Sequence, residues 1–231
     1  MKRFYKDAIA APTGAGWQVM LDGRGVKTQG KRAQIVPGEA LATALTAEWA
    51  AQQGEIDPAS FVLRDMADYA LDVVETDRDG AIKALLPYAE SDTLCYRGDE
   101  GEALHRRQIA LWEPLLTAAE RRWDIAFTRI GGVMHQPQSP ATLARLQSVL
   151  AAHDAFTLAA LRSLSGLASS LIVALAAIEP DADAEALWCA ANLEEDYQAE
   201  LWGQDDEAIA LRARRFRDFA GAIDFARLAR N

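Results

Sequence analysis

The class of the fold is decided by residues 17–28, which read WQVMLDGRGVKT. Residues 17–21 are apolar except for Gln18, and we interpret them as a strand with a buried face. Asp22-Gly23 supplies the two positive-φ positions that a tight hairpin requires, and residues 24–28 are predicted to return as the second strand. With a further short strand at residues 34–36, the N-terminal part of the chain is predicted to form a small sheet.

From residue 37 onward the apolar side chains recur every three or four positions, which indicates helices. Leu41, Leu45 and Trp49 mark the face of the first one. A second stripe over residues 66–74 is expected to end at Asp79-Gly80. Further along, Ser139-Pro140 predicts a helix start, because serine caps a helix and proline suits its first position.

Three more helices are predicted in the last third of the chain. A long apolar helix follows Asp154 and covers residues 156–178, and the next covers residues 183–202. The last helix is expected to bury a stripe spaced i, i+4, i+7, i+11, i+14: Ile209, Ala213, Phe216, Ala220 and Ile223. The pattern predicts an α+β protein, with a small β-rich (α+β) domain over residues 1–64 and a larger helical domain over residues 65–231.

The composition excludes several classes of function. The 231-residue chain carries 24 Lys and Arg against 34 Asp and Glu, a net charge of −10 that repels phosphate backbones, so we expect no nucleic-acid partner. Arg162 and several serines interrupt residues 156–178, so we expect a core helix there and no membrane insertion. The charged N-terminus predicts no signal peptide, and two cysteines, Cys95 and Cys189, favour a reducing compartment.

Residues 25–31, GVKTQGK, match the first seven positions of a phosphate-binding loop. That loop continues with a Ser or Thr and then a helix, whereas Arg32 and a non-helical stretch follow here, so we expect no nucleotide and no other cofactor. Neither cysteine lies in a nucleophile signature, and no Gly-x-Ser-x-Gly elbow occurs. The three histidines are dispersed and predict no metal site: His105, His135 and His153.

One helix departs from its own pattern. If residues 183–202 form one helix with about 100° per residue and Leu187 at zero, Glu194 falls near 340°, inside the apolar arc. Gln198 falls beside it near 20°, while the apolar arc itself is formed by Ala190, Ala191, Tyr197, Leu201 and Trp202. A carboxylate in that position must be paired, be protonated, or face something other than the protein's own core.

Two interpretations of Glu194 remain open from the residues alone. It is either a buried carboxylate bonded to an arginine or a helix end, or part of a face that meets a ligand or partner near Trp202-Gly203. The arginines of residues 212–217 are expected to form a solvated face of the last helix, with contact to an acidic partner surface as the weaker alternative.

Several blocks along the chain resemble those of one protein family, in the order that the family has them. The most specific are residues 88–97, YAESDTLCYR, and residues 193–203, LEEDYQAELWG. Further blocks are residues 2–5, 21–24, 48–49, 55–58, 66–67, 70–72, 136–137 and 156–161. With these blocks the chain resembles the ATP-twelve family, the assembly chaperones of the F-type ATP synthase α subunit; Ser91 stands where the family pattern has Thr.

The resemblance implies a chaperone without enzymatic activity. Such a protein binds the unassembled α subunit and prevents its aggregation until the β subunit takes its place. An acidic residue important for function in the family falls on Glu194, and with it we expect Tyr197, Gln198 and Trp202 to contribute to partner binding. The resemblance also implies a monomer in the bacterial cytoplasm, or in the mitochondrial matrix for a processed organellar member.

Two alternative functions stay open at this point. The first is a small-molecule enzyme that uses Glu194 as a buried acid or base, which requires a second polar group close in space. The second is a scaffold for some other protein partner.

Overall fold

The structure is a computed structural model that describes residues 1–132 and 134–230. The chain folds into two compact units. The first contains Met1–Ala81 with Asp154–Ala160 and Gly221–Asn231, and the second contains Ile82–His153 with Leu161–Ala220. About 60% of the structure is helical and about 10% is strand, with the small sheet preceding the helices, which confirms the α+β class. The domain boundary at residue 64 stays a prediction.

The sheet of the first unit is built around one central strand. Strand β2 (Gly16–Leu21) pairs antiparallel with β1 (Ala8–Thr13), β3 (Arg24–Gly25) and β4 (Ile35–Val36). The predicted hairpin is confirmed, because Asp22 and Gly23 connect β2 to β3 with φ of 47° and 78°.

The first strand has no clear signal in the sequence. Its residues read AIAAPT, which combines weak strand formers with a proline and lacks alternation. The strand forms because Ala8 through Thr13 pair with Leu21 through Gly16 across a two-residue turn, and its place at the sheet edge tolerates Pro12.

The first helix covers one face of this sheet. Helix α1 (Glu39–Ala50) buries Leu41, Leu45 and Trp49, as its apolar period predicts. A 3₁₀ turn (Pro58–Ser60) is capped by Asp57, and α2 (Val62–Tyr69) follows and continues into a π-helical turn (Ala70–Val74).

The predicted helix end at Asp79-Gly80 is wrong. Both residues lie inside α3 (Arg78–Lys83), and the preceding helical stretch ends before Asp77. The Asp77 side chain accepts a hydrogen bond from the Gly80 amide at 2.9 Å, which caps the new helix. Gly80 therefore lies in the first turn of a new helix, where its N–H is capped by Asp77, and does not end the preceding one.

The second unit consists mainly of helices, and its core lies around α5 (Ala103–Trp123). The Trp112 and Leu116 side chains of α5 are fully buried, and the Trp112 indole N–H donates to the carbonyl of Ala190 at 2.7 Å. The other elements that lie in this unit or reach into it are α4 (Pro87–Glu90), a 3₁₀ turn (Thr93–Cys95), β5 (Tyr96–Arg97), β6 (Ile130–Gly131), α6 (Pro140–Ala151), α7 (Ala155–Ala168), α8 (Leu171–Ala177), α9 (Ala184–Ala191), α10 (Leu193–Trp202) and α11 (Asp206–Ala229). The predicted start of α6 is confirmed, since the Ser139 hydroxyl accepts from the Thr142 amide at 3.0 Å.

The long apolar helix predicted over residues 156–178 is two helices. Asp154 caps α7 as expected, but the chain turns at Ser169, whose φ is 51°, and the Ser170 hydroxyl then caps α8. The turn is fixed from outside, because both the amide and the hydroxyl of Thr93 donate to the Ser169 carbonyl. In the part of the chain that the structure describes, no helix has the length and apolar character needed to cross a bilayer.

Helix α11 does not bury the stripe that its spacing predicts. Its fully buried side chains are Phe219, Ala222, Phe225 and Ala226, whereas Ile209 at the start of the predicted stripe is 51% exposed. The helix is therefore packed in its second half and leaves an apolar face uncovered in its first half.

An ion-pair network fastens the two short parallel strands β5 and β6 to α5. Glu113 accepts hydrogen bonds at 2.8 Å from Arg97 and from Arg129, and Arg129 also pairs with Glu120. The hydrogen bond from Arg129, together with that from Arg97, lowers the pKa of Glu113 to about 2.

We predict that Glu113→Gln lowers the free energy of unfolding by about 2 kcal/mol at pH 7. A lowered carboxyl pKa stabilises the fold above the ordinary pKa, and this contribution is lost as the pH falls towards 2. Urea unfolding at pH 7, 4.5 and 3 should therefore show the gap between wild type and variant narrowing with acid. The exposed Glu100, changed to Gln, serves as control and should alter stability by less than about 0.5 kcal/mol at each pH. A gap that is constant with pH would refute the role of the network.

Candidate partner-binding site

The segment that carries the predicted site residues is two helices, not one. Asn192 ends α9 and precedes α10 with φ −110° and ψ 19°, and both its backbone N–H and its side-chain amide donate to the Trp188 carbonyl. The prediction of one helix over residues 183–202 is therefore wrong, and angles measured from Leu187 do not carry over to α10.

Glu194 is consequently exposed and not buried among apolar side chains. Its Oε1 accepts a hydrogen bond from Nε2 of Gln108 at 2.7 Å. Gln108 is completely buried, and its Oε1 accepts in turn from the Gly98 amide at 2.8 Å. Of the two interpretations that the sequence left open, the buried carboxylate bonded to an arginine or a helix end is wrong, because the partner is a buried amide 86 residues away.

The exposure of Glu194 also bears on the enzyme hypothesis. That hypothesis requires Glu194 to be a buried acid or base, and the Glu194 carboxylate lies on the surface. Among residues 1–132 and 134–230, no group of three or more His, Cys, Asp or Glu is placed to hold a metal ion.

The four predicted contact residues share one side of α10. With about 100° per residue, Tyr197, Gln198 and Trp202 all lie within about 80° of Glu194 on either side. Tyr197 is half-buried, Gln198 is exposed, and Trp202 is 78% exposed. The structure thus brings the four together as one solvent-facing strip, which we call the α10 face.

Two arginines contact α10, one beside the α10 face and one on the opposite side of the helix. The Arg107 guanidinium lies 5.1 Å from the centre of the Tyr197 ring and pairs with Glu200 at 2.7 Å. On the other side of α10, Arg212 pairs with Asp196 at 2.6 Å, and partial burial raises the pKa of the Asp196 carboxyl. These pairs fix the orientation of α10 while its apolar end stays open to solvent.

Sequence reasoning missed three features of this site. Gln108 and Arg107 lie on α5, and nothing in their local sequence points to α10. Leu201 was placed in the apolar arc of a buried helix, yet it is 56% exposed next to Trp202. Its exposure could have been suspected only from Gly203, which ends the helix directly afterwards with φ 81°.

The loop at residues 25–31 is not arranged for phosphate. The backbone amides of Gln29 and Gly30 donate to the carboxylates of Asp68 and Asp72 at 3.1 and 2.7 Å. The N–H groups that a phosphate would need are therefore satisfied by acidic side chains of the chain itself.

The family-specific block at residues 88–97 supports the helices of this unit. Asp92 is fully buried and accepts hydrogen bonds from the amides of Leu94 and Ile172, and burial raises the pKa of its carboxyl to about 6. The Tyr88 hydroxyl accepts from Arg162 at 2.6 Å. Ser91 is exposed and donates to the Pro87 carbonyl, a hydrogen bond that a threonine could also form.

Comparison with known proteins gives matches along nearly the whole chain. The model of the family described as ATP12 chaperone protein matches residues 2–120. The crystal structure of Atp12 from Paracoccus denitrificans aligns with a TM-score of 0.89 at 36% identity, over 99% of this chain and 98% of that one. A structure from Agrobacterium tumefaciens, described as that of a candidate chaperone, aligns with a TM-score of 0.92 at 35% identity, over 98% and 85%. The mitochondrial protein atp12 of Schizosaccharomyces pombe is 23% identical over 90% of this chain and 75% of its own length.

We predict that Glu194→Lys increases the amide exchange rate of Gly98 several-fold, although the two residues are far apart in sequence. A lysine cannot accept the hydrogen bond from Gln108, so the buried amide loses the contact that orients it towards Gly98. Hydrogen–deuterium exchange measures this effect. Glu194→Gln keeps an acceptor and should exchange like wild type, and so should the matched charge reversal Glu195→Lys. Equal exchange at Gly98 in all variants would contradict the relay through Gln108.

Proposed function

The chain belongs to the ATP12 family of ATP synthase assembly chaperones, and on that premise we propose that it binds the unassembled α subunit of the F-type ATP synthase. It prevents aggregation of this subunit until the β subunit takes its place. The binding is reversible and needs neither a cofactor nor catalysis by the chaperone.

The observation that carries this proposal is a concentration of exposed apolar side chains in one short segment. Among the described residues, four of the eleven exposed large hydrophobic side chains fall within residues 201–211: Leu201, Trp202, Ile209 and Leu211. Large apolar side chains that stay exposed close together are often used for binding. The segment is well suited to cover an apolar interface that another subunit has not yet occupied.

Mass action explains how such a cover can be temporary. A subunit with a bare apolar interface is protected as long as a partner binds it more tightly than it binds itself. A dissociation constant of about 1 μM corresponds to about −8 kcal/mol, which the larger, permanent interface with the β subunit can exceed. Displacement by the β subunit then needs no energy source.

We propose that the α10 face contributes to this contact through Glu194, Tyr197, Gln198 and Trp202. Trp202 is the expected anchor, because a tryptophan with 78% of its surface exposed can bury a large apolar area at little entropic cost. Glu194 contributes through its carboxylate and through the orientation of Gln108. We further propose that the chaperone is a monomer and works in the bacterial cytoplasm, or in the mitochondrial matrix if it is an organellar member.

We predict that the purified protein suppresses the aggregation of isolated α subunit in the absence of nucleotide, as measured by light scattering. Trp202→Ala should weaken binding to the α subunit by about tenfold or more, since hot-spot residues contribute about 2 kcal/mol or more. Phe4→Ala is the control, because Phe4 is also exposed, at 64%, but lies outside the α10 face. Addition of β subunit should release the chaperone from the complex.

Two results would refute the proposal. One is aggregation of the α subunit at an unchanged rate in the presence of excess chaperone. The other is a complex with the α subunit that persists at saturating β subunit. If wild type and the folded variants Trp202→Ala and Glu194→Lys all bind the α subunit equally, the α10 face is not a contact surface. The proposed binding of the α subunit would still stand.

A further inference from the structure

A pocket opens beside the β2–β3 hairpin of the first unit, and we call it the hairpin pocket. It has a volume of about 450 Å³, within the range of roughly 300–1,000 Å³ that is usual for small-molecule sites. Its apolar lining consists of Phe4, Tyr5, Leu21, Val26 and Trp49. A cavity of this size accommodates a single small molecule.

The apolar lining has a buried floor and one exposed aromatic ring. Tyr5, Leu21, Val26 and Trp49 are each no more than 7% exposed. The Tyr5 hydroxyl donates to the Trp49 carbonyl at 2.6 Å, and the two rings meet edge to face with their centres 5.6 Å apart. Phe4 is 64% exposed, with its ring 5.3 Å from that of Tyr5. Rings arranged in this way favour a flat aromatic body as their partner.

Three charged side chains of residues 22–27 complete the lining: Asp22, Arg24 and Lys27. Arg24 and Lys27 are exposed, and within the described part of the chain neither side chain forms a hydrogen bond or an ion pair. The Asp22 carboxylate accepts hydrogen bonds from the backbone amides of Lys6 and Asp7 at 3.1 and 2.9 Å. The lining thus presents two unpaired cations and one carboxylate that is already engaged by the backbone.

The segment that forms the pocket is basic, unlike the protein as a whole. Residues 1–32 carry seven Lys and Arg against two Asp, a net charge of +5 in a chain whose net charge is −10. Arg32 is set apart from this balance, because it pairs with Glu75 at 2.8 Å. The remaining excess of positive charge favours a ligand with negative charge.

Two glutamates of neighbouring segments lie close in sequence to residues of this region, but neither lines the pocket. Glu48 precedes Trp49 in α1, and its carboxylate accepts from the amides of Leu63 and Arg64, so it is directed to α2. Glu55 lies opposite Lys2 in an isolated β-bridge. Asp22 is therefore the carboxylate that a ligand in the hairpin pocket would meet.

The lining also limits the charge of a ligand. Arg24 and Lys27 together exceed Asp22 by one positive charge, which a single carboxylate balances. A triphosphate would bring excess negative charge close to Asp22. The backbone amides of Gln29 and Gly30, which follow the pocket-lining residues and could otherwise bind phosphate, already donate to aspartates of the chain.

We propose that the hairpin pocket binds a small aromatic monocarboxylate. Its aromatic body lies on the floor formed by Tyr5 and Trp49, where Phe4 packs against it, and its carboxylate pairs with Arg24 and Lys27. The site is independent of the proposed binding of the α subunit, because it lies in the first unit whereas α10 lies in the second.

Titration of the full chain with indole-3-acetate, followed by NMR, tests the site. We expect saturable shifts of the Gly25 amide and of the Trp49 indole N–H, which has no hydrogen-bond partner within the described residues. Indole-3-acetamide has nearly the same shape without the charge and should bind about tenfold more weakly or less. Cyclohexylacetate keeps the charge without the aromatic ring and should bind several-fold more weakly. The absence of saturable shifts up to the solubility limit of indole-3-acetate would overturn the proposal.

Variants test the charged and the aromatic parts of the lining. Arg24→Glu and Lys27→Glu should each weaken the binding of indole-3-acetate by about tenfold or more, because each replaces a cation with a carboxylate close to Asp22. Lys31→Glu is the matched control, since Lys31 is exposed in the same unit but does not line the pocket, and it should bind like wild type. Phe4→Ala should weaken binding several-fold. Circular dichroism and thermal unfolding confirm that each variant is folded.

Four other results would overturn the proposal. They are equal affinity for indole-3-acetate and its amide, equal affinity for cyclohexylacetate, tighter binding of ATP, and saturable shifts at the Trp202 indole in place of Trp49. Unchanged affinity in both Arg24→Glu and Lys27→Glu would refute the pairing of the carboxylate. Failure of wild type to bind the α subunit refutes the proposed function alone, because the titration with indole-3-acetate needs no α subunit.

Discussion

The turn at Asn192 is the constraint on which the α10 face depends. Asn192 has φ −110° and ψ 19°, away from helical values, so the chain leaves α9 in a new direction there, and the Asn192 side-chain amide binds the Trp188 carbonyl. As a result α10 turns Glu194, Gln198 and Trp202 to solvent. In a continuous helix these side chains would point in other directions, and the surface that we assign to the partner would change.

An exposed apolar surface is a hazard for the protein that carries it, and the charge distribution counters that hazard. The net charge of −10 makes copies of the chain repel one another at long range. Around α10 the arginines are engaged in ion pairs with Glu200 and Asp196. Such pairs contribute little to stability at the surface, and they leave Leu201 and Trp202 uncovered. This combination suits the function that we propose, the binding of an unassembled subunit.

Residues 88–97, one of the two stretches that carry the resemblance to the family, have a structural role. In residues 88–97, Asp92 is buried and joins a 3₁₀ turn to α8, and the Arg97 guanidinium, 5.1 Å from the Trp112 ring, pairs with Glu113. The amide of Gly98, directly after this stretch, reaches Glu194 through Gln108. Residues 88–97 therefore support, through Gly98 and Gln108, the helix that we propose to contact the partner.

The sequence alone determined the turns and helix starts that depend on residues close together along the chain. The β2–β3 hairpin follows from Asp22-Gly23, and the starts of α6 and α7 follow from Ser139 and Asp154, because each signal acts within four residues. It also singled out Glu194 and the α10 face, although for a reason that assumed an unbroken helix. Only the tertiary structure decided the turn at Ser169 and the exposure of Ile209. A helical period shows which side chains share a face, but not whether another element covers that face. The contacts that decide this join residues more than seventy positions apart, such as Thr93 with Ser169 and Gln108 with Glu194.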